Sequence, residues 1–240
     1  MPSTPPNLTA VILAGGKGTR LLPHTAETPK PLVKVGQYPI IEILLKCLQR
    51  AGFTRVCIAV SHLSQVIVDA LGDGSRFDLQ IQYSQEETPL STIGPLTLIE
   101  DLPEQFLVVN GDILTDMDFA ALMEYHRGQQ VPLTVATCQR ESRNDFGVLE
   151  IGSTGMVTDF TEKPTFSFTV SAGVYVFSRD VLQYVPKGER FGFDQLMETL
   201  LENSVPVATY PYDGYWLDIG RHEDYQQANE DIDRIKGLID

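Results

Sequence analysis

Gly15, Gly16 and Gly18 place three glycines in four positions within Leu13-Ala14-Gly15-Gly16-Lys17-Gly18-Thr19-Arg20-Leu21, directly after an apolar run that reads as a buried strand. Without a Cβ, such residues let backbone N–H groups approach an anion closely, so the segment suits a phosphate. Two better-known phosphate loops do not describe it. A Walker loop needs G-x-x-x-x-G-K-[ST], and a dinucleotide fingerprint needs a third glycine where Leu21 stands. Some ten residues on, Lys30 sits between Pro29 and Pro31, with Leu32 following. The flanking prolines restrict its backbone, and a chain that folds back brings its ammonium to the same anion.

Taken together, the two segments resemble the sugar-1-phosphate nucleotidylyltransferases, whose signature is G-G-x-G-T-R-L followed by P-K-P. The likeness continues over nearly the whole chain. Asn110-Gly111-Asp112, at the end of a predicted strand, resembles the family's metal-binding N-G-D, and Trp216-Leu217-Asp218-Ile219-Gly220 resembles its late W-x-D-[IV]-G. The resemblance thus makes Asp112 and Asp218 the ligands of a Mg²⁺ ion, a hard cation that prefers oxygen donors and usually keeps several waters. Glu162-Lys163-Pro164 resembles E-K-P, in which the lysine holds the sugar phosphate and the glutamate meets sugar hydroxyls. Gly147 matches a glycine whose amide faces the sugar, and Asn110 and Ser171 complete the implied sugar-phosphate set. Leu13, Gly15, Gly16, Gly18, Thr19, Glu86, Ser91 and Thr92 are the implied nucleotide contacts, with Arg20, Lys30 and Lys163 the implied catalytic cations.

Two positions depart from the family pattern. Pro89-Leu90-Ser91-Thr92-Ile93-Gly94 has serine where P-L-G-T-[AG]-G has glycine, which opens the choice of base. Ser171-Ala172-Gly173-Val174-Tyr175-Val176-Phe177 lacks the asparagine of N-A-G-[IV]-Y-V-F, which opens the choice of sugar. Glu86 stands where relatives place Gln or Glu beside the base. A carboxylate only accepts hydrogen bonds, and guanine offers N1–H and N2–H₂ on one edge, so GTP is favoured over UTP, dTTP or CTP. Glu86 and Glu87 are adjacent, and the sequence does not say which points inward. Short members that transfer guanylate to mannose-like, heptose-like or cyclitol phosphates lie nearest.

The implied reaction is an in-line displacement in which a sugar 1-phosphate oxygen attacks the α-phosphate of a nucleoside triphosphate and pyrophosphate leaves. Asp116-Met117-Asp118 mimics the D-x-D of nucleotide-sugar glycosyltransferases, but as a rival reading it leaves Gly15 to Leu21 unexplained; a helix cap before Phe119 accounts for it more simply. A regulatory subunit without catalysis has no chemical need to retain Arg20, Lys30, Asp112, Lys163 and Asp218. His24, His62, His126 and His222 show no metal-ligand spacing and receive no role.

These groups need a scaffold, and the chain of 240 residues is long enough for one domain and short for two. Its net charge of -14 argues against a broad basic face for a nucleic-acid polymer. Cys47, Cys57 and Cys138 are odd in number with no C-x-x-C, which fits a reducing, cytoplasmic setting, and no apolar run suggests a signal or a membrane span. Homo-oligomers are the default expectation. Alternation of apolar strand-like and helix-like segments from Thr9 to Asn110 predicts an α/β fold, and denser strands follow after Arg127. With the resemblance, this implies a Rossmann-like three-layer sandwich with a mixed, mostly parallel central sheet, the GT-A-like nucleotidyltransferase fold. The expected organisation is a flexible start at residues 1–8 and a single nucleotidylyltransferase domain over 9–240 without the C-terminal β-helix of many relatives. Pro39 to Ala51, Gly94 to Asp101 and His222 to Ile235 are among the predicted helices.

Overall fold

A computed structural model describes residues 8–16, 18–61 and 63–239. The expected flexible start therefore lies outside the described residues except for Leu8, which already belongs to β1; Lys17 and His62 lie outside them too.

The apolar run Leu8–Leu13 forms β1, and its position explains its composition: it lies between two parallel neighbours with both faces covered. A short strand pair, β2 (Lys34–Val35) and β3 (Tyr38–Pro39), leads into helix α1 (Ile40–Arg50), whose six buried apolar residues divide between two clusters, Ile41, Leu44, Leu45 and Leu48 in one and Ile40 and Ile43 in another. There follow β4 (Phe53–Val60), α2 (Ser64–Leu71), β5 (Gln80–Gln85), β6 (Gln105–Asn110), β7 (Ile113–Thr115) and α3 (Phe119–Gln129). The second half contributes β8 (Leu133–Arg143), β9 (Val148–Ile151), β10 (Val157–Thr161), β11 (Thr165–Ser178), α4 (Phe193–Glu202), β12 (Val207–Pro211), β13 (Trp216–Asp218), α5 (His222–Glu230) and α6 (Ile232–Ile239).

Seven strands form the central sheet in the order β12-β8-β11-β6-β1-β4-β5. Only β11 runs antiparallel to its neighbours, so the expected mixed, mostly parallel sheet is what forms. One face packs α1, α2 and α3 through Leu44, Ile67 and Leu122, and the other packs α4 through Leu196 and Leu200. A third cluster, including Leu21, Leu114, Ile235 and Ile239, fastens α5 and α6 beneath the glycine loop. Among the described residues, no helix is long and apolar enough to cross a membrane.

Three expectations change. Gly94 to Asp101 makes only a 3-10 turn, Gly94–Leu98, whose bonds run three residues back, from Leu96 N to Ile93 O and from Ile99 N to Leu96 O, while the Ile93 and Gly94 N–H groups donate to Phe191 O. The single closing helix is two, broken at Asp231 so that Ile235 and Ile239 turn inward while Arg50 donates to Leu238 O. β8 and β11 run longer than their apolar stretches, because their outer halves pair with each other without a core. The cap before Phe119 forms as expected: Asp118 Oδ1 accepts from Ala121 N at 2.9 Å. Asp116, its D-x-D partner, is occupied by Tyr212, Tyr215 N and Arg234.

His126 is 1% exposed and bolts α3 to the sheet, with Nδ1 2.8 Å from Thr134 Oγ1 and Nε2 3.1 Å from Ser178 Oγ. Burial holds its pKa below the usual histidine value, with Arg127 acting in the same direction. The unfolded chain therefore binds this proton more readily. Its contribution to stability is complete above the unfolded pKa of about 6.5 and is lost as pH falls below it. Melting curves from about pH 7.5 down to about pH 5 should show Tm falling, and His126→Gln should flatten that decline.

Candidate functional site

Parallel strands deliver their C-terminal ends to one edge, and here β1, β4, β5 and β6 end side by side as Leu13, Val60, Gln85 and Asn110. That edge opens into a cavity of about 470 Å³ lined by Leu13, Gly15, Gly16 and Arg20 on one side and by Ser91, Thr92 and Arg190 among others. Such carboxyl-end crevices are where open α/β sheets hold ligands.

The glycine loop is shaped by close approach. A Cβ on Gly15 would lie 2.8 Å from Glu86 Oε1 and 3.3 Å from Ser61 Cβ, so any side chain there would displace the buried carboxylate. Gly18 has φ +63°, and a Cβ there would also meet Thr25 and Lys30. Thr25 Oγ1 donates to Gly18 O at 2.8 Å, and Thr19–Leu21 then form a 3-10 turn that buries Leu21 and leaves Thr19 and Arg20 exposed.

Lys30 is fixed by the second 3-10 turn, Lys30–Leu32, where Leu32 N donates to Pro29 O at 2.8 Å. The lysine is only 8% exposed, and its Nζ is ion-paired with Asp112 Oδ2. Asp218 reaches the same place by a different route. β13 pairs antiparallel with β7, setting Asp218 opposite Ile113, and Ile219 N donates to Asp112 O at 3.0 Å. Two carboxylates 106 positions apart thus become neighbours. Burial raises the Asp218 pKa above the usual carboxylate range, and the Asp112 charge adds to this while Lys30 and Arg20 oppose it.

Two buried oxygens on this cavity wall, Asn110 Oδ1 and Asp218 Oδ1, have no hydrogen-bond partner among the described residues. Buried acceptors are nearly always satisfied, so two orphans facing one cavity mark a place for a bound donor or ion. Among the described residues no group of three or more His, Cys, Asp or Glu could hold a metal. A pair of carboxylates fits Mg²⁺ nonetheless, since that ion commonly takes one or two protein carboxylates and fills its other positions with phosphate and water.

Glu86, not Glu87, faces the cavity. Its N–H donates to Val60 O, its Oε2 accepts from Leu90 N at 2.8 Å, and its Oε1 lies against Gly15. Glu87 turns to a separate groove with Arg55 and Gln82. Ser91 has φ +68°, so it takes the left-handed conformation that glycine adopts freely, and the loop keeps its path despite the departure. Phe191 N donates to Leu90 O and Phe193 N to Thr92 Oγ1, tying this loop to the one that precedes α4.

That tie brings in Arg190, a cavity cation the sequence reading missed; no motif surrounds it, and only its tertiary neighbours reveal it. Gly147, Glu162 and Lys163 are not brought into the cavity. They cluster at the base of the β9–β10 hairpin, exposed, with a Gly147 Cβ position 3.0 Å from Glu162 Oε2. Lys163 has φ +46°, a costly backbone state for a residue with a side chain. Ser171 lies between the two regions, where its hydroxyl donates to Tyr175 Oη at 3.1 Å and accepts from Gly173 N at 3.3 Å. Burial pushes the Tyr175 phenol up to about 12.

The family model described as Nucleotidyl transferase matches residues 9–234. UTP--glucose-1-phosphate uridylyltransferase of Synechocystis sp. is 33% identical over 96% of this chain and 63% of its own length. Mannose-1-phosphate guanylyltransferase of Mycobacterium tuberculosis is 32% identical over 95% of this chain and 65% of its own length. The chain therefore spans somewhat under two thirds of these curated relatives. Among solved structures, HddC from Yersinia pseudotuberculosis complexed with GMP-PN superposes with a TM-score of 0.72 at 25% identity, covering 94% of this chain and 99% of that one. The likeness of architecture agrees with the GT-A-like fold expected from the sequence.

Proposed function

The chain belongs to the nucleotidyl transferase family, and from that premise we propose that it transfers a nucleoside monophosphate from a nucleoside triphosphate, preferably GTP, to a mannose-like, heptose-like or cyclitol-like 1-phosphate. The observation that carries this reading is the convergence of Gly15, Gly16, Arg20, Asp112 and Asp218 on one cavity with orphaned oxygens on its wall, Lys30 being joined to it by its ion pair with Asp112.

In this reading the glycine loop and Thr19 receive the triphosphate, and Arg20 and Lys30 hold its pyrophosphate portion. A sugar-phosphate oxygen, already anionic, attacks the α-phosphorus; the bond to the bridging oxygen breaks, and pyrophosphate departs with the electron pair. No protein nucleophile is required. The protein brings two repelling anions together and neutralises charge as it moves toward the leaving group. Asp112 and Asp218 would hold Mg²⁺, which when bound supplies charge stabilisation at the phosphates. Lys163, with Glu162, Gly147, Asn110 and Ser171, would form the sugar-phosphate side, although of these only Asn110 lines the cavity. The three free cysteines, two of them buried, agree with a reducing, cytoplasmic setting.

The guanine preference rests on Glu86, whose buried carboxylate presents acceptors only. It agrees with the guanylyltransferase relative and with the GMP-PN complex of HddC. Glu86→Gln keeps an acceptor for Leu90 N but turns a donor toward the base. It should lower kcat/KM for GTP by about 10- to 100-fold and leave UTP far less affected. The broader test is pyrophosphate release with each nucleoside triphosphate crossed against a panel of sugar 1-phosphates. Activity with GTP and one of the mannose-, heptose- or cyclitol-like substrates is the expected result; activity only with UTP or dTTP overturns the base assignment.

A further inference from the structure

Arg190 lines the cavity but takes no part in the displacement. Its backbone is held on both sides. Phe191 N donates to Leu90 O at 3.0 Å, and Phe191 O accepts from Ile93 N and Gly94 N at 3.0 and 2.9 Å. On the other side, Glu189 O lies 2.5 Å from where a Cβ on Gly94 would stand, so the two loops touch there too. The Arg190 side chain is exposed and forms no ion pair with a carboxylate among the described residues. A planar cationic fork on a fixed backbone, with its charge uncommitted, is poised for a ligand.

The surroundings of Arg190 select the part of the ligand it meets. Leu90 joins it to Glu86: Leu90 N donates to Glu86 Oε2 at 2.8 Å, and Leu90 O takes the Phe191 N–H. Ser91 and Thr92, next along that loop, line the cavity as well, and a Cβ on Gly192 would lie 3.3 Å from Ser91 Oγ. The Glu86 carboxylate and the Arg190 guanidinium are thus carried by one hydrogen-bonded pair of loops. Arg20, the other arginine of the cavity, belongs to the carboxylate end, with Nη2 3.5 Å from a Gly220 Cβ position that is itself 3.3 Å from Asp218 Oδ1.

An acceptor-only group beside a donor-only group calls for a base with donors on one edge and acceptors on the next. Guanine has both: N1–H and N2–H₂ face a carboxylate, and O6 and N7 on the adjoining edge accept both prongs of a guanidinium. Adenine sets an N6 donor against the arginine where guanine has O6, and uracil and thymine offer it O4 alone. We propose that Arg190 is a base-specificity residue, donating to O6 and N7 of guanine while Glu86 accepts from N1–H and N2–H₂. This rests on the guanine reading of the cavity and adds the residue that reads the second edge.

Isothermal titration calorimetry with Mg²⁺ and no sugar phosphate, using GTP, 7-deaza-GTP and UTP, tests the proposal on the wild type, Arg190→Met and Arg190→Lys. 7-Deaza-GTP differs from GTP in lacking the N7 acceptor. The wild type is expected to bind it about 10-fold more weakly than GTP, and Arg190→Met to bind the two alike. Arg190→Lys should recover little of the difference, because a point charge has no fork. Equal wild-type affinities for GTP and 7-deaza-GTP overturn the role of Arg190, a result that needs no variant to fold. So does a GTP to 7-deaza-GTP ratio that survives in Arg190→Met while both nucleotides weaken together, the mark of a phosphate contact. A wild type that binds UTP more tightly than GTP overturns the guanine reading itself, and the part of Arg190 with it.

Discussion

Asp112→Asn and Asp218→Asn should each lower turnover by about 10²- to 10³-fold while leaving the protein folded. Both side chains are replaced by groups of the same shape, so the β7–β13 ladder that sets them side by side is kept. Only charge is lost. The two variants differ in their effect on stability, and that difference identifies the cause. Asp218 is buried against the like charge of Asp112, which raises its pKa, so neutralising it relieves repulsion and Tm should hold or rise. Neutralising Asp112 removes the partner of Lys30, so Tm should fall. Steady-state pyrophosphate release, thermal melting and Mn²⁺ binding followed by electron spin resonance together read these effects. A folded variant with near-normal turnover and unchanged Mn²⁺ affinity would contradict the metal assignment.

Lys30→Ala should cost as much in rate, and for two reasons. It removes the cation paired with Asp112, proposed to hold the pyrophosphate portion, and it leaves Asp112 and Asp218 to repel each other with only Arg20 to oppose them. Turnover should fall by about 10²-fold or more, and breaking a largely buried ion pair should cost on the order of 3 kcal/mol of stability. Lys30→Arg should recover little. The ammonium sits in a tight 3-10 turn between prolines, with a Gly18 Cβ position 3.0 Å from Lys30 Cβ, and a broad planar guanidinium does not fit where a compact charge did. Arg20 provides the contrast. It is exposed and has no ion-pair partner within 4 Å among the described residues, so Arg20→Ala should lower kcat/KM with little change in Tm.

Local chemistry made much of this site legible before any coordinates. A buried strand ending in Gly15 and Gly16, and a lysine locked between prolines, are short-range features whose geometry the residues themselves dictate. Asp218 was found by its sequence context, but its contact with Asp112 depends on a strand pairing between positions far apart in sequence. Glu86 and Glu87 could not be told apart by composition. They diverge because the Glu86 N–H continues the bonding to β4 while the next residue turns to the opposite side. Arg190 was invisible because its position is fixed by hydrogen bonds between two irregular loops. The outer halves of β8 and β11 escaped for a related reason: periodicity searches look for residues that face a core, and Phe166 and Phe168, exposed as they are, face none within their own chain. Ser91 shows the converse, since a substitution that suggested drift leaves the backbone in its glycine-like conformation.

The most direct test of nucleotidylyl transfer follows the label of α-³²P GTP in the presence of the sugar 1-phosphate panel. The account predicts that label enters a nucleotide sugar in step with pyrophosphate, one for one, only when a sugar 1-phosphate is present, and never becomes attached to the protein. Pyrophosphate released without a sugar acceptor, label retained on the protein as an intermediate, or no transfer from any nucleoside triphosphate would contradict it.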